Sequence, residues 1–420
     1  MPDPARPSTR RLALLLGGLA MFGPFSIDTI FPAFRVIGLQ LHADAVAMQQ
    51  TISVYLIAYA AMSIVHGPLS DAIGRRRVIL GGLLVFAAAS AGCALSQNLP
   101  TLLAFRALQG LSSGVGLIVG RAVIRDVLHG PDAQRLMSRV SMIFGIAPAI
   151  APIIGGWILG WQRWPMIFWF LVVFAVALLI ATWAWLPETH APEARRPMVL
   201  RHLLRDYAPI FLNPRFQRLA AASAFTFGAL FLYIASAPVF VLEILRLNGR
   251  HLDETQFGWF FVPTIGGMVL GAFASGRAAG AFDGDRLVRL GFVTSATAMA
   301  FNLVYTFLAD MLSLPWAVVP MSLHAFGIAL VFPVVTLAIL DMYPLQRGGA
   351  SSLQAFTSLV LNALVAGVLS PLLSSDPRWL AMAAAALVAI GWGFWQWEWR
   401  AARRHALRGM PLPTLPDEVL

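Results

Sequence analysis

A chain of 420 residues that is 58% hydrophobic and 12% charged, with a mean hydropathy of +0.74, is excluded from the ordinary soluble class, where roughly a quarter of residues are charged. The net charge of +10 is carried by thirty arginines with no lysine, and the one cysteine, Cys93, excludes an intrachain disulfide and a cysteine-based metal site. Without lysine there is no phosphate-cradling Gly-x-x-x-x-Gly-Lys loop, no His-Glu-x-x-His pair occurs, and no cofactor or metal is expected; uphill work would have to draw on an ion gradient.

Apolar blocks of about twenty residues, enough to cross a ~30 Å hydrocarbon core, predict twelve membrane-spanning helices. The first, near 12–34, follows Arg6, Arg10 and Arg11; it is too long for a signal-peptide core and is read as retained. The next five fall near 48–69, 78–96, 99–122, 138–160 and 165–186. A proline- and arginine-rich connection, 187–215, separates them from six more near 216–243, 255–278, 287–309, 313–340, 350–374 and 379–400. The expected fold is an all-α membrane protein with twelve transmembrane helices in two six-helix halves of pseudo-twofold symmetry. Its parts are a tail 1–11, bundles 12–186 and 216–400, the linker 187–215 and a tail 401–420.

Arginine placement orients the chain. With a cytoplasmic N-terminus, the opposite side keeps only Arg35, Arg163, Arg246, Arg250 and Arg378, and Arg106 lies within a span; every other arginine faces the cytoplasm. This is the positive-inside pattern, which accounts for the basic charge without nucleic acid and puts both termini in the cytoplasm.

Asp28 is the one acid of the first span, flanked by Pro24 and Pro32, which loosen the helix and free backbone carbonyls. An ionisable group in a membrane span is a functional candidate by default, and an acid in a low-dielectric cavity can take up and release a proton near neutral pH. Arg106 sits about seven residues, or ~10 Å, inside the fourth span. Equal depth and opposite sign predict that Arg106 and Asp28 lie near one another; the competing reading is an arginine that bonds backbone carbonyls. Tyr55, Tyr59, Phe231 and Tyr233, with Phe225 and Phe227, are candidate cavity aromatics, although such residues are more often packing or lipid-facing. His324 is read as a hydrogen-bonded packing residue.

Between the second and third spans runs Gly67-Pro68-Leu69-Ser70-Asp71-Ala72-Ile73-Gly74-Arg75-Arg76-Arg77, charge-dense in a chain otherwise poor in charge. It is read as a clamp in the gap between two helices, with Arg125-Asp126 at the end of the fourth span as its partner. Pro148, Pro152, Gly155 and Gly156 in the fifth span predict a kinked, closely packed helix. The second half has Ser275 where Asp71 stands, so the clamp is one-sided.

Gly67-x-Leu69-x-Asp71-x-x-Gly74-Arg75-Arg76 resembles the signature loop of the major facilitator superfamily. Arg106-x-x-Gln109-Gly110 resembles that family's fourth-helix motif, and Pro148-x-x-x-Pro152-x-x-Gly155-Gly156 its antiporter motif, with Ala151 in place of glycine. Ile27-Asp28 with Phe31-Pro32-Ala33, Leu186-Pro187-Glu188-Thr189 and Ile339-Leu340-Asp341 are similar to the Bcr/CflA drug-efflux group; Ile30 stands where that group usually has an aromatic residue. The resemblance implies a proton-coupled exporter of small molecules such as bicyclomycin and chloramphenicol in a bacterial inner membrane. Asp28 would be the cavity acid, Arg106 with Gln109 the coupling pair, and Asp71, Arg75, Arg76 and Asp126 a cytoplasmic latch. The partners implied are a small-molecule substrate, protons and the lipid bilayer, with the chain working as a monomer. A metabolite exporter or importer of the same fold, for an amino acid, a sugar or a siderophore-like compound, stays open, as does a non-transporting membrane sensor.

Overall fold

The computed structural model describes residues 9–128, 130–195, 200–278, 284–343 and 346–407. The expected tails, 1–11 and 401–420, fall largely outside these residues, as do Arg196 and Arg408. Among the described residues, twelve helices are long and apolar enough to cross a membrane, from Arg10–Gln40 to Pro377–Arg404. The chain is a mostly helical, integral membrane protein that divides into two compact units. One comprises Met1–Met198 with Asp253–Phe261, the other Val199–Leu252 with Val262–Leu420.

In the first unit, the opening span is broken into α1 (Thr9–Ala20), α2 (Phe22–Asp28), a 3-10 turn (Phe31–Ala33) and α3 (Phe34–Gln40). Pro24 lies inside α2 and Pro32 inside the 3-10 turn, so the breaks occur where donors are missing. Asp44 then caps α4 (Ala45–Ile73) by accepting from the Ala47 amide at 2.7 Å. Helix α5 (Arg75–Ala94) follows after a single residue, Gly74.

Asn98 caps α6 (Leu99–Gly114), which passes through one wide π turn, Val115–Val119, into α7 (Gly120–Val127). Then come α8 (Gly130–Trp161) and α9 (Pro165–Trp185), the latter opened by Pro165 in its first turn and closed where Leu186 turns extended before Pro187. Helix α4 packs on α6, α5 on both α6 and α9, and α8 on α1 and α2.

The second unit begins with α10 (Leu200–Leu212) and α11 (Pro214–Ala235), the latter capped by Asn213. A short α12 (Ala237–Val239), a second π turn (Phe240–Ile244) and a hairpin of β1 (Arg246–Leu247) with β2 (Arg250–His251) follow. Next are α13 (Gly258–Ala278), whose first turn belongs to the first unit, α14 (Gly284–Leu308) and α15 (Val319–Met342). The chain ends in α16 (Arg347–Leu364), a third π turn (Val365–Leu369), α17 (Ser370–Leu373) and α18 (Pro377–Leu407). The core of this unit gathers Phe216, Phe292, Ile339, Tyr343 and Trp395 from α11, α14, α18 and the end of α15.

One expectation is corrected here. The clamp is not a loop: α4 runs on through Pro68 to Ile73, with Pro68 forgoing its backbone bond while the Ser70 hydroxyl donates to the Gly67 carbonyl at 2.7 Å. The gap is Gly74 alone, with φ of +105°, a conformation that disfavours any side chain. Helix α8 keeps Pro148 and Pro152 within it and runs on to Trp161.

Candidate functional site

The break in the first span creates the site. Helix α2 stops at Asp28, so no amide of Ile30 returns to the Ser26 carbonyl. That freed oxygen accepts from Arg106 Nη1 at 2.9 Å, and the Ser26 hydroxyl takes the same nitrogen at 3.0 Å. Arg106 is fully buried in α6; its Nε donates to the Thr51 carbonyl at 3.2 Å and its Nη1 also to Gln109 Oε1 at 2.8 Å. The guanidinium lies 4.6 Å from the centre of the Tyr55 ring. Gln109 holds its orientation by donating to Ser90 Oγ at 2.8 Å, and Cys93 Sγ approaches the Gln109 oxygen at 3.6 Å. The cation thus ties α2, α4 and α6 together through neutral acceptors, with α5 as a second layer.

Asp28 is 5% exposed and has no hydrogen bond or ion pair among the described residues. It makes no ion pair with Arg106, which instead bonds Ser26, two residues before it. Matching depth fixes position along the bundle and leaves the direction around each helix open. Tyr55, buried in α4, lies against the Arg106 guanidinium and beside Ser26 and Ser113. Tyr59 extends this aromatic wall, its ring 6.3 Å from that of Tyr55.

Helix α8 closes the site from behind. A side-chain carbon at Gly155 would fall on the Thr29 carbonyl oxygen, one residue past Asp28, so only glycine lets the helices meet. Pro152 and Gly156 are buried on the same helix, and Pro148 is half-buried. Gly110-Leu111-Ser112-Ser113-Gly114 has the spacing of a nucleophile elbow, yet it sits inside α6, and Ser112 donates to the Leu108 and Gln109 carbonyls.

At the other end of these helices the charged motif assembles around Arg75. Its Nη1 meets Asp71 at 2.5 Å, and its Nε meets Asp126 at 3.1 Å. Its backbone amide donates to Glu188 Oε1 at 2.9 Å, and Thr189 Oγ1 donates to Asp126 Oδ2 at 3.1 Å. The segment after α9 is therefore a third component, missed because nothing in sequence ties Glu188 to Gly74; the motif around Leu186–Thr189 was the available signal. Arg76 is not part of the cluster: it donates to the Trp183 carbonyl at 2.8 Å. Arg125 is exposed, and a side-chain carbon at Gly67 would meet nothing within 4 Å.

Phe231 and Tyr233 lie in the second unit. Tyr233 is buried and accepts from Asn302 Nδ2 at 2.8 Å, and Phe231 stacks with Phe227 at 6.3 Å between ring centres. Phe225 packs on Phe394 instead. His324 Nε2 lies 3.1 Å from the Thr226 carbonyl, as a packing histidine should.

Twelve helices able to span a membrane among the described residues, a buried unpaired acid and a buried cation held by neutral acceptors define a polytopic membrane protein with an ionisable interior. The chain belongs to the Major Facilitator Superfamily, whose family model matches residues 14–366; it is a transporter and not an enzyme. It is 30% identical to an uncharacterized MFS-type transporter, YdgK, of Bacillus subtilis (strain 168), over 84% of this chain and 87% of that one. It is 27% identical to a bicyclomycin resistance protein homolog of Haemophilus influenzae, over 86% and 89% of the two chains. Among solved structures, a peptide transporter POT in complex with sulfate shares the fold at a TM-score of 0.75 and 14% identity, over 94% of each chain.

Proposed function

We propose that this protein exports small amphipathic compounds, drugs among them, in exchange for protons, by alternating access of its two six-helix halves. The setting is a bacterial inner membrane, with both termini and the 187–215 linker cytoplasmic and the chain acting as a monomer. The names of relatives, which include bicyclomycin resistance and multidrug resistance proteins, support the substrate class. The observation that carries the mechanism is Asp28: a buried carboxyl without a hydrogen-bond or ion-pair partner, beside a cation whose Nε and Nη1 are already taken by neutral acceptors.

An unpaired acid in a low-dielectric site is stable when protonated or when a ligand supplies the missing partner. Proton and substrate therefore compete for Asp28, and loading one releases the other. Arg106 stays charged throughout, held by Ser26, Thr51 and Gln109, so the local charge changes with Asp28 alone. Movement at Asp28 reaches Arg106 through the two-residue link to Ser26. Asp71, Arg75 and Asp126, with Glu188 and Thr189, form the cytoplasmic latch whose making and breaking accompanies the change of access.

The test is efflux from proteoliposomes under an imposed pH gradient, with a drug-susceptibility panel in an efflux-deficient host supplying the substrate. Asp28→Asn is expected to abolish pH-driven efflux at normal protein yield. Wild-type rates in that variant would discard the mechanism, and a panel with no shift for any compound would discard the drug assignment.

A further inference from the structure

The last turns of α18 have no part in that cycle, yet they concentrate aromatic and basic residues. A groove of about 560 Å³ opens there, lined by residues that include Trp392, Gln396, Trp397, Arg400 and Arg404. These positions follow the three-and-four spacing that places side chains on one helix face. On the adjoining strip, the guanidinium groups of Arg289 from α14 and Arg403 lie 5.3 Å and 5.0 Å from the centre of the same indole, that of Trp399.

Two cations gathered on one ring repel each other, and an anion between them offsets that repulsion. Among the described residues no carboxylate is within ion-pair distance of Arg289, Arg400, Arg403 or Arg404. The acid in their midst, Glu398, is committed elsewhere: it is 5% exposed, and its two oxygens take Arg215 Nε and Arg218 Nε, each at 2.9 Å. Arg218 in turn lies 5.4 Å from the centre of the Trp397 ring. One acid is thus saturated by two arginines, and four exposed arginines beside it have none.

Depth narrows the missing anion. The twelfth span is Pro377–Arg404, so Arg400 and Arg404 occupy its final turns, where long cationic side chains reach the headgroup layer. Trp397 sits just inside them, as interfacial aromatics do, and Trp392 lies deeper, stacked on Phe292. Below, Leu290 and Val293 of α14 and Ile390 of α18 are exposed apolar side chains that an acyl chain would cover.

We propose that this α14–α18 edge binds an anionic phospholipid, with its phosphodiester held by Arg289, Arg400, Arg403 and Arg404 and its glycerol region against Trp397. The apolar tail lies along Leu290, Val293 and Ile390. A phosphate group without acyl chains lacks that second contact.

The test uses the purified full-length protein in a non-ionic detergent, with thermal unfolding followed against added phosphatidylglycerol, phosphatidylcholine or sodium phosphate. Phosphatidylglycerol is expected to raise the unfolding temperature saturably, and the other two to leave it unchanged. Each arginine removed weakens the midpoint roughly fivefold, so Arg400→Gln/Arg403→Gln/Arg404→Gln shifts it on the order of a hundredfold. Arg163→Gln/Arg250→Gln, which removes two exposed arginines outside α14 and α18, leaves it in place. Equal stabilisation by phosphatidylcholine or by inorganic phosphate, or an unmoved midpoint in the triple variant, overturns the proposal. Should the triple variant fail to purify as a single species, Arg404→Gln and the wild-type lipid comparison decide it by the same criteria.

Discussion

Replacing Arg106 by methionine keeps much of the side-chain volume and removes every donor. Four acceptors lose their bond: the Ser26 carbonyl and hydroxyl, the Thr51 carbonyl and Gln109 Oε1. Bonds to a charged donor contribute about 1.5–3 kcal/mol each, so the gross loss is about 6–12 kcal/mol. Against it stands the relief of no longer burying a guanidinium, worth several kcal/mol. The Ser26 hydroxyl can turn to another partner, and the Thr51 carbonyl also accepts from the Thr51-to-Tyr55 turn of its own helix, which lowers the loss further. A net destabilisation of about 2–5 kcal/mol remains, most of it at Gln109 and at the Ser26 carbonyl that α2 leaves open. Unfolding of the purified protein by titrated SDS in mixed micelles would measure it. A change below about 1 kcal/mol would refute the claim that this cation ties α2, α4 and α6 together.

Two further substitutions probe the packing and the latch. Gly155→Ala places a carbon on the Thr29 carbonyl and should cost about 1–3 kcal/mol while reducing efflux through displacement of Asp28; wild-type stability and transport would show that the helices need not touch there. Asp126→Asn keeps the shape but loses the charge facing Arg75 Nε at 3.1 Å, about 1 kcal/mol in a partly buried pair. Turnover in proteoliposomes should change roughly fivefold with substrate affinity held; a change confined to affinity would remove the latch role.

The spans were legible because lipid tolerates so few alternatives. Long apolar blocks between arginines mark helices almost unaided, and the observed ends of Leu99–Val127 or Pro165–Trp185 lie within a few residues of the blocks read from sequence. Residue types at the site were legible for the same reason, since Asp28 and Arg106 stand out against an apolar background. Their partners were not. Two of the four acceptors of Arg106 are backbone oxygens, which carry no sequence signature, although Pro24 and Pro32 did mark where such oxygens would be freed. The run Arg75-Arg76-Arg77 offers three equal candidates for one position, and only the turn at Gly74 decides that Arg75 points inward. Glu188 joins the cluster from over a hundred residues away, a distance at which local pattern says nothing. Ser275, where the second half lacks the acid, was legible as an asymmetry.

The wide turn at Val115–Val119 sets the phase of the span that contains it. Arg106 and Asp126 are twenty residues apart, which in an uninterrupted helix would point them about 200° from one another. One surplus residue in a single turn takes up about 100° of that angle without lengthening the span appreciably. The upper half of the span can then face Ser26 and Thr51 while the lower half faces Arg75 and Thr189. A single rod would have had to choose one set of neighbours; a rod with a dislocation serves both.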